Sequence, residues 1–184
     1  LLRAMDFADL ISHTLKTNYN IAFEGSVCSY LEKVLSREKQ IKLMRMALKC
    51  IGCFVTKNSE NQHLLADELT SLRALIGPLK LPNLSDVDIE QMREEGISLD
   101  RIPEYPTLGV EELIIEIVRD NPALCSQSLN IEFFHEFGNS LNACSDPSQS
   151  NLLSFFETAC FPKRDPVPHN QMSTIDIFLS DEFP

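Results

Sequence analysis

Two cysteines, Cys50 and Cys53, form a CxxC pair, the first pattern in this chain that can carry chemistry. Their thiolates can supply half of a tetrahedral zinc site or both thiols of a redox centre. The sequence offers no second CxxC, and His63 stands alone. A redox pair also favours a helix N-terminus, whereas this pair lies in an apolar helical segment with Ile51 and Phe54. We therefore expect both cysteines to pack in a helical core, with a metal or redox site as the alternative.

Histidines and carboxylates show no catalytic spacing. General acid–base chemistry needs a second group within hydrogen-bonding reach, and the histidines are dispersed: His13, His63, His135 and His169. Two acidic clusters can be paired carboxylates or a cation site, but solvated helix faces are expected for both: Asp86-Asp88-Glu90 and Glu111-Glu112-Glu116. The six glycines form no phosphate-binding loop. The sequence therefore predicts no enzyme, no cofactor and no metal site.

Basic residues form a stripe on one predicted helix. Lys42, Arg45 and Lys49 follow three- and four-residue steps, Lys39 lies beside them, and they sit opposite the apolar face of the helix. Such a stripe can dock an acidic peptide or the backbone of a nucleic acid, although no aromatic residues are interleaved for base stacking. The alternative is a solvated face that balances an acidic protein.

The C-terminal segment combines carboxylates with apolar side chains that are costly to leave in water. Its apolar candidates for partner binding are Ile175, Ile177, Phe178, Leu179 and Phe183. The segment can dock into the groove of a partner as a strand or short helix. It can equally fold back onto its own domain, and the sequence leaves both interpretations open.

The 184-residue chain has a net charge of −11, but the charge is uneven. Residues 33–57 carry seven basic residues and one acidic residue, a net +6, whereas residues 58–184 carry seven basic and twenty-two acidic residues, a net −15. The acidic majority disfavours general affinity for nucleic acid. No apolar run reaches the roughly 18 residues of a membrane span. Six scattered cysteines favour reduced thiols in the cytosol or nucleus, and the start at Leu1 leads us to expect a fragment of a longer intracellular protein.

Helices are predicted to position these residues. Residues 38–76 read as a hairpin of two amphipathic helices, with a polar turn at 57–61, Ser59 as a cap and Gly77-Pro78 as the end. Further helices are expected at residues 4–15, 27–35, 108–120, 131–144 and 146–162, with a helical turn at 123–129. Residues 77–107 form a Pro-rich insertion, helical only at Ser85–Glu95, and an extended chain is expected beyond Pro162.

The hairpin resembles armadillo and HEAT repeats. The resemblance lies between Arg45 and Ala66, where Ala-Leu-Lys-Cys-Ile-Gly precedes a polar turn and a Leu-rich helix, and it covers about 40 residues well. It implies an all-α fold, a right-handed superhelical stack of antiparallel helix pairs over residues 1–162, interrupted by the 77–107 insertion. An extended acidic-hydrophobic tail follows over residues 163–184. A compact helical bundle fits the same pattern.

Helical-repeat scaffolds usually hold other macromolecules. The resemblance therefore implies a non-catalytic protein–protein interaction scaffold, with the basic stripe and the tail as its predicted contacts. The alternative is a nucleic-acid-associated scaffold of the chromosomal HEAT type, which would use the basic helix at residues 37–49. No membrane partner is expected.

Overall fold

The computed structural model describes residues 30–77, 93, 107–142 and 151–180, and over these residues the fold is all-helical. Eight α-helices lie in this part of the chain: α1 (Tyr30–Val55), α2 (Ser59–Leu64), α3 (Leu69–Arg73), α4 (Val110–Val118), α5 (Pro122–Gln127), α6 (Ile131–Asn142), α7 (Leu152–Cys160) and α8 (Pro168–Phe178). Short 3-10 turns lie at Ala66–Glu68 and Pro162–Arg164. The all-α class predicted from the sequence is confirmed for these ranges.

Some predicted elements lie outside the described residues. They are the helix at residues 4–15, the start of the helix at 27–35, and nearly all of the 77–107 insertion with its helical segment at Ser85–Glu95. His13, the acidic cluster Asp86-Asp88-Glu90 and Phe183 also fall there.

α1 is one continuous helix of 26 residues. The sequence predicted two helices with a break between residues 35 and 38, and that break is wrong. Residues 36–38 contain no glycine or proline, so nothing there ends a helix. In the second half of α1 a stripe at three- and four-residue steps is buried, made of Ile41, Met44, Leu48, Ile51 and Val55.

The turn after α1 is polar, as predicted, but its cap is Asn58 rather than Ser59. Lys57 adopts a left-handed conformation with φ 56°, and Asn58 Oδ1 accepts a hydrogen bond from the Asn61 amide at 3.1 Å. The second helix of the predicted hairpin is divided into α2, a 3-10 turn and α3. Gly77 then takes the predicted left-handed turn, with φ 96°.

α4 lies at the centre of the described fold. It packs against α1, α2 and α3, and also against α5 and α7. Of its nine residues only Glu112 is exposed. Because a helix that buries nearly its whole circumference is a core helix, the segments before and after the insertion share one hydrophobic core.

Two buried amides join the hairpin to α4. Gln62 Nε2 donates to the carbonyl oxygens of Glu116 and Arg119, both at 3.0 Å. Carbonyls at the end of a helix have no partner within that helix, so this amide completes α4. Asn121 Nδ2 donates to Gln62 Oε1 at 3.0 Å, and Asn121 Oδ1 accepts the Leu124 amide at 3.3 Å, which caps α5.

Phenylalanine rings bind α6 and α7 together. Phe137 of α6 stacks on Phe155 of α7 with 3.7 Å between ring centroids. The ring centroids of Phe134 and Phe155 are 5.3 Å apart, and the two rings are tilted relative to each other. Phe178 of α8 approaches Phe156 edge-on at 5.0 Å, so the last helix covers the side of this cluster.

The extended tail predicted beyond Pro162 is wrong over Pro168–Phe178, which forms α8. Pro168 occupies the first turn of the helix, where a missing backbone N–H breaks no hydrogen bond. The chain reaches it through a tight corner at which Lys163 and Arg164 both have left-handed conformations, with φ 51° and 67°. The prolines that indicated an extended chain therefore include one that begins a helix.

Asn170 holds α8 in place. Its side chain is fully buried, and Nδ2 donates to the carbonyl oxygens of Cys125 at 2.9 Å and Ala159 at 2.8 Å. One amide thus joins α8 to both α5 and α7. Ile177, also buried, adds an apolar contact toward the C-terminal end of the helix. The segment folds back onto its own domain, one of the two outcomes left open by its sequence.

Candidate interaction surfaces

The outer side of α1 carries an exposed apolar stripe, which we call the α1 face. Leu43 and Met46 expose 60% and 64% of their surface, and Cys50 and Cys53 are exposed one and two turns further on. These four residues follow three- and four-residue steps on the side opposite the buried stripe. An exposed apolar stripe of this kind is typical of a surface that meets another molecule.

The CxxC pair belongs to this face and not to the core, so the prediction of core packing is wrong. Both thiols are free and exposed. The sequence placed them among apolar residues, but the buried stripe of α1 runs through Ile51 and Val55, about half a turn away. Among the described residues no group of three or more histidine, cysteine or carboxylate side chains is placed to hold a metal ion.

The predicted basic stripe is divided by the structure. Lys42 and Lys49 are exposed beside the α1 face. Arg45 is half-buried, and its Nε and Nη2 donate to the Thr107 carbonyl oxygen at 3.0 and 2.5 Å. Arg45 therefore ties α1 to the segment before α4, and its guanidinium is committed to the fold. Lys39 lies on α1, but its side chain is outside the described residues.

A second exposed apolar stripe lies on the outer side of α8, and we call it the α8 face. Met172, Ile175 and Leu179 expose 57%, 48% and 78% of their surface. They follow three- and four-residue steps on the side opposite Asn170 and Ile177, which are buried. α8 thus packs with one side and presents apolar side chains to solvent with the other.

The predicted partner-binding residues of the tail separate in the same way. Ile175 and Leu179 are on the α8 face, whereas Ile177 is buried in the core and cannot contact a partner. Phe178 packs its ring against Phe156. Met172 was missed from the sequence, although it lies one turn before Ile175 and helical spacing would have indicated it once the segment was taken as a helix.

The titratable groups inside the fold have structural roles. Glu111 was expected on a solvated face, but it is buried, and its Oε1 accepts the Gly77 amide at 2.9 Å. Desolvation raises the pKa of the Glu111 carboxyl, and the hydrogen bond from Gly77 partly opposes this shift. Its neighbours agree better with the predicted solvated face. Glu112 is exposed, and Glu116 Oε1 pairs with Arg119 Nε at 2.7 Å near the surface.

Two further thiols lie in the core. Burial raises the pKa of Cys125 to about 12, and the nearby Cys160 adds to the shift. Burial also raises the pKa of Cys160, whose sulfur lies 3.2 Å from the Thr174 hydroxyl. Neither thiol is activated as a nucleophile. The histidines of the described residues, His63, His135 and His169, are all exposed.

Comparison with known proteins matches no family model, no curated protein and no solved structure. In the part of the chain that the structure describes, no helix is both long and apolar enough to cross a membrane.

Proposed function

We propose that this chain is a non-catalytic protein–protein interaction module, a helical segment of a larger intracellular protein. The observation that carries the proposal is the pair of exposed apolar faces. α1 and α8 each bury one side in the core and present a second apolar side to solvent. A solvated helix face is normally polar, so two apolar outer faces indicate surfaces that are covered in use.

The armadillo/HEAT-type superhelix stays a prediction within this proposal. The all-helical fold agrees with it, and so does the contact between α1 and α2, the helix after the turn. The central position of α4 is more typical of a compact helical bundle. The interaction role does not depend on which arrangement holds, because the exposed faces belong to single helices.

Free thiols at Cys50, Cys53, Cys125 and Cys160 support placement in a reducing compartment, the cytoplasm or the nucleus.

The second candidate function is nucleic-acid association, favoured by the exposed Lys42 and Lys49 on α1. It is the weaker candidate because Arg45, which lies between these lysines on the helix, donates to the Thr107 carbonyl oxygen instead. Phosphate contacts need hydrogen-bond donors at such positions.

For the test, the chain is expressed in cells with a photo-crosslinking amino acid at position 175 or position 46. Crosslinking then identifies the protein that contacts each face. The crosslinked protein is then purified and its binding measured by titration calorimetry. We expect Ile175→Glu or Met46→Glu to weaken binding by about tenfold or more, because a charge is placed in an apolar contact. Thr70→Glu and Ser71→Glu add the same charge at exposed positions outside both faces and serve as controls.

The proposal fails if both face variants bind the purified partner as tightly as the controls do. Nucleic acid is tested in parallel by fluorescence anisotropy with DNA and RNA at two salt concentrations. Steep salt dependence that is abolished by Lys42→Glu with Lys49→Glu would favour the second function.

A further inference from the structure

The α1 and α8 faces have the same spacing. Leu43, Met46 and Cys50 lie at steps of three and four residues, and so do Met172, Ile175 and Leu179 on α8. Each set spans two helical turns, about 10 Å. Helices whose apolar residues repeat in this way interlock side by side, each side chain filling a gap between residues of the facing helix.

The two faces also carry opposite charge. Residues 41–57, which include the α1 face, contain four basic residues and no acidic residue. Residues 168–180, which include the α8 face, contain one acidic residue, Asp176, and no lysine or arginine. At the faces themselves Lys42 and Lys49 are exposed on α1, and Asp176 is exposed on α8. Opposite charges at the edges of an apolar contact favour one pairing over others.

Neither face can cover the other within one molecule as folded. α1 is held through its buried stripe and through Arg45, and α8 is held through Asn170 and Ile177. Both faces are exposed with these contacts in place. A contact between them therefore requires two copies of the chain.

We propose that the α1 face of one copy docks the α8 face of a second copy, head to tail. This inference rests on the proposed interaction function and names one partner for it. Two different surfaces meet, so the association is heterologous and continues from copy to copy unless it closes into a ring. Two-turn stripes bury less than the roughly 1,000 Å² of a stable interface. The association is therefore weak, and it weakens further in high salt as the edge charges are screened.

The test uses two variants of the whole chain, each with one face blocked. Met46→Glu blocks the α1 face and leaves the α8 face intact. Ile175→Glu blocks the α8 face and leaves the α1 face intact. Sedimentation velocity in reductant and chelator should show wild-type species that grow beyond a dimer as concentration rises. Each blocked variant alone should be monomeric. An equimolar mixture should form a 1:1 dimer and nothing larger, because each variant supplies the face that the other lacks.

Thr70→Glu and Ser71→Glu should associate as the wild type does, and circular dichroism verifies that every variant is folded. The inference is overturned if the wild type stays monomeric at all soluble concentrations, or if the mixture of blocked variants stays monomeric. Dimers of Ile175→Glu alone would also overturn it, because they indicate a symmetric α1–α1 contact. Association that needs metal or oxidation would point instead to bridging by Cys50 and Cys53.

Failure of this inference and failure of the proposed function give different results. If the wild type is monomeric but Met46→Glu or Ile175→Glu loses a purified foreign partner, only docking between copies is wrong. If the wild type is monomeric and neither variant changes binding to a foreign partner, both proposals fail.

Discussion

Glu111 places a carboxyl group in the core where the end of the hairpin meets α4. Its Oε1 accepts the Gly77 amide, and burial raises the pKa of the carboxyl above its ordinary value of 4.5. Between the unfolded and folded pKa values the native state holds more protons than the unfolded state. The contribution of Glu111 to stability is therefore full below pH 4.5 and is lost as pH rises through the folded pKa.

Glu111→Gln should remove this dependence on pH, because the amide oxygen can still accept the Gly77 N–H and carries no charge. We expect the unfolding free energy of the variant, relative to wild type, to increase as pH rises above 4.5. Urea denaturation at a series of pH values measures it. Glu112→Gln, at an exposed neighbour, is the control, and parallel curves for wild type and Glu111→Gln would contradict the prediction.

The four described cysteines should divide into two reactivity classes. Cys50 and Cys53 are exposed, whereas Cys125 and Cys160 are buried, and burial raises the pKa of Cys125 to about 12. Because the thiolate is the reactive form, iodoacetamide at mildly alkaline pH should label the exposed pair at least about tenfold faster. Peptide mass spectrometry of native and denaturant-unfolded protein checks this. Equal native labelling of Cys125 would contradict the described packing.

At the scale of elements, Asn170 is the buried polar side chain that ties α8 to the body. Asn170→Ala would leave the carbonyl oxygens of Cys125 and Ala159 buried without their donor. Such losses cost about 1–3 kcal/mol for each group, so we expect thermal unfolding at a clearly lower temperature. Ser173→Ala, which removes a hydroxyl bonded only to its own helix at His169, is a matched control that should change stability little.

Deleting residues 163–184 tests the same element as a whole. The deletion removes Asn170 and Ile177 and uncovers Phe156 of the aromatic cluster. We therefore expect the truncated chain to unfold with much less cooperativity and to bind a hydrophobic dye. Loss of a partner from an otherwise stable domain is not the expected result. A truncated chain that unfolds at the wild-type temperature would show that α8 contributes little to the core.

At the scale of the whole molecule, α4 makes the described helices one folding unit. It packs against helices from both sides of the insertion in the sequence. Ile114 is fully buried at its middle, and Ile114→Ala should destabilise the protein by about 2–5 kcal/mol. Hydrogen exchange should show protection falling together in α1 and in α6 to α8. Unchanged protection in one of these regions would mean that it folds independently of α4.

The sequence by itself determined that the chain forms helices, and where most of them lie in the described ranges. Three- and four-residue apolar steps predicted part of the core, and the structure buries these residues: Met44, Leu48, Ile51 and Val55 of α1, and Leu113, Ile114, Ile117 and Val118 of α4. Asn121-Pro122 marked a helix boundary that the structure also has, whereas the helix predicted to end at Gly77 ends at Arg73. These signals are local, because helix periodicity, caps and breakers act within a few residues of each other.

Only the tertiary structure decided which apolar side of a helix is inside. α1 and α8 have apolar residues on two sides, so periodicity could not assign Cys50, Cys53 or Ile177 to core or surface. The roles of Arg45 and Glu111 depend on Thr107 and Gly77, which are distant in the chain. Burial is set by which helices meet, and that depends on contacts between remote segments that no local pattern records.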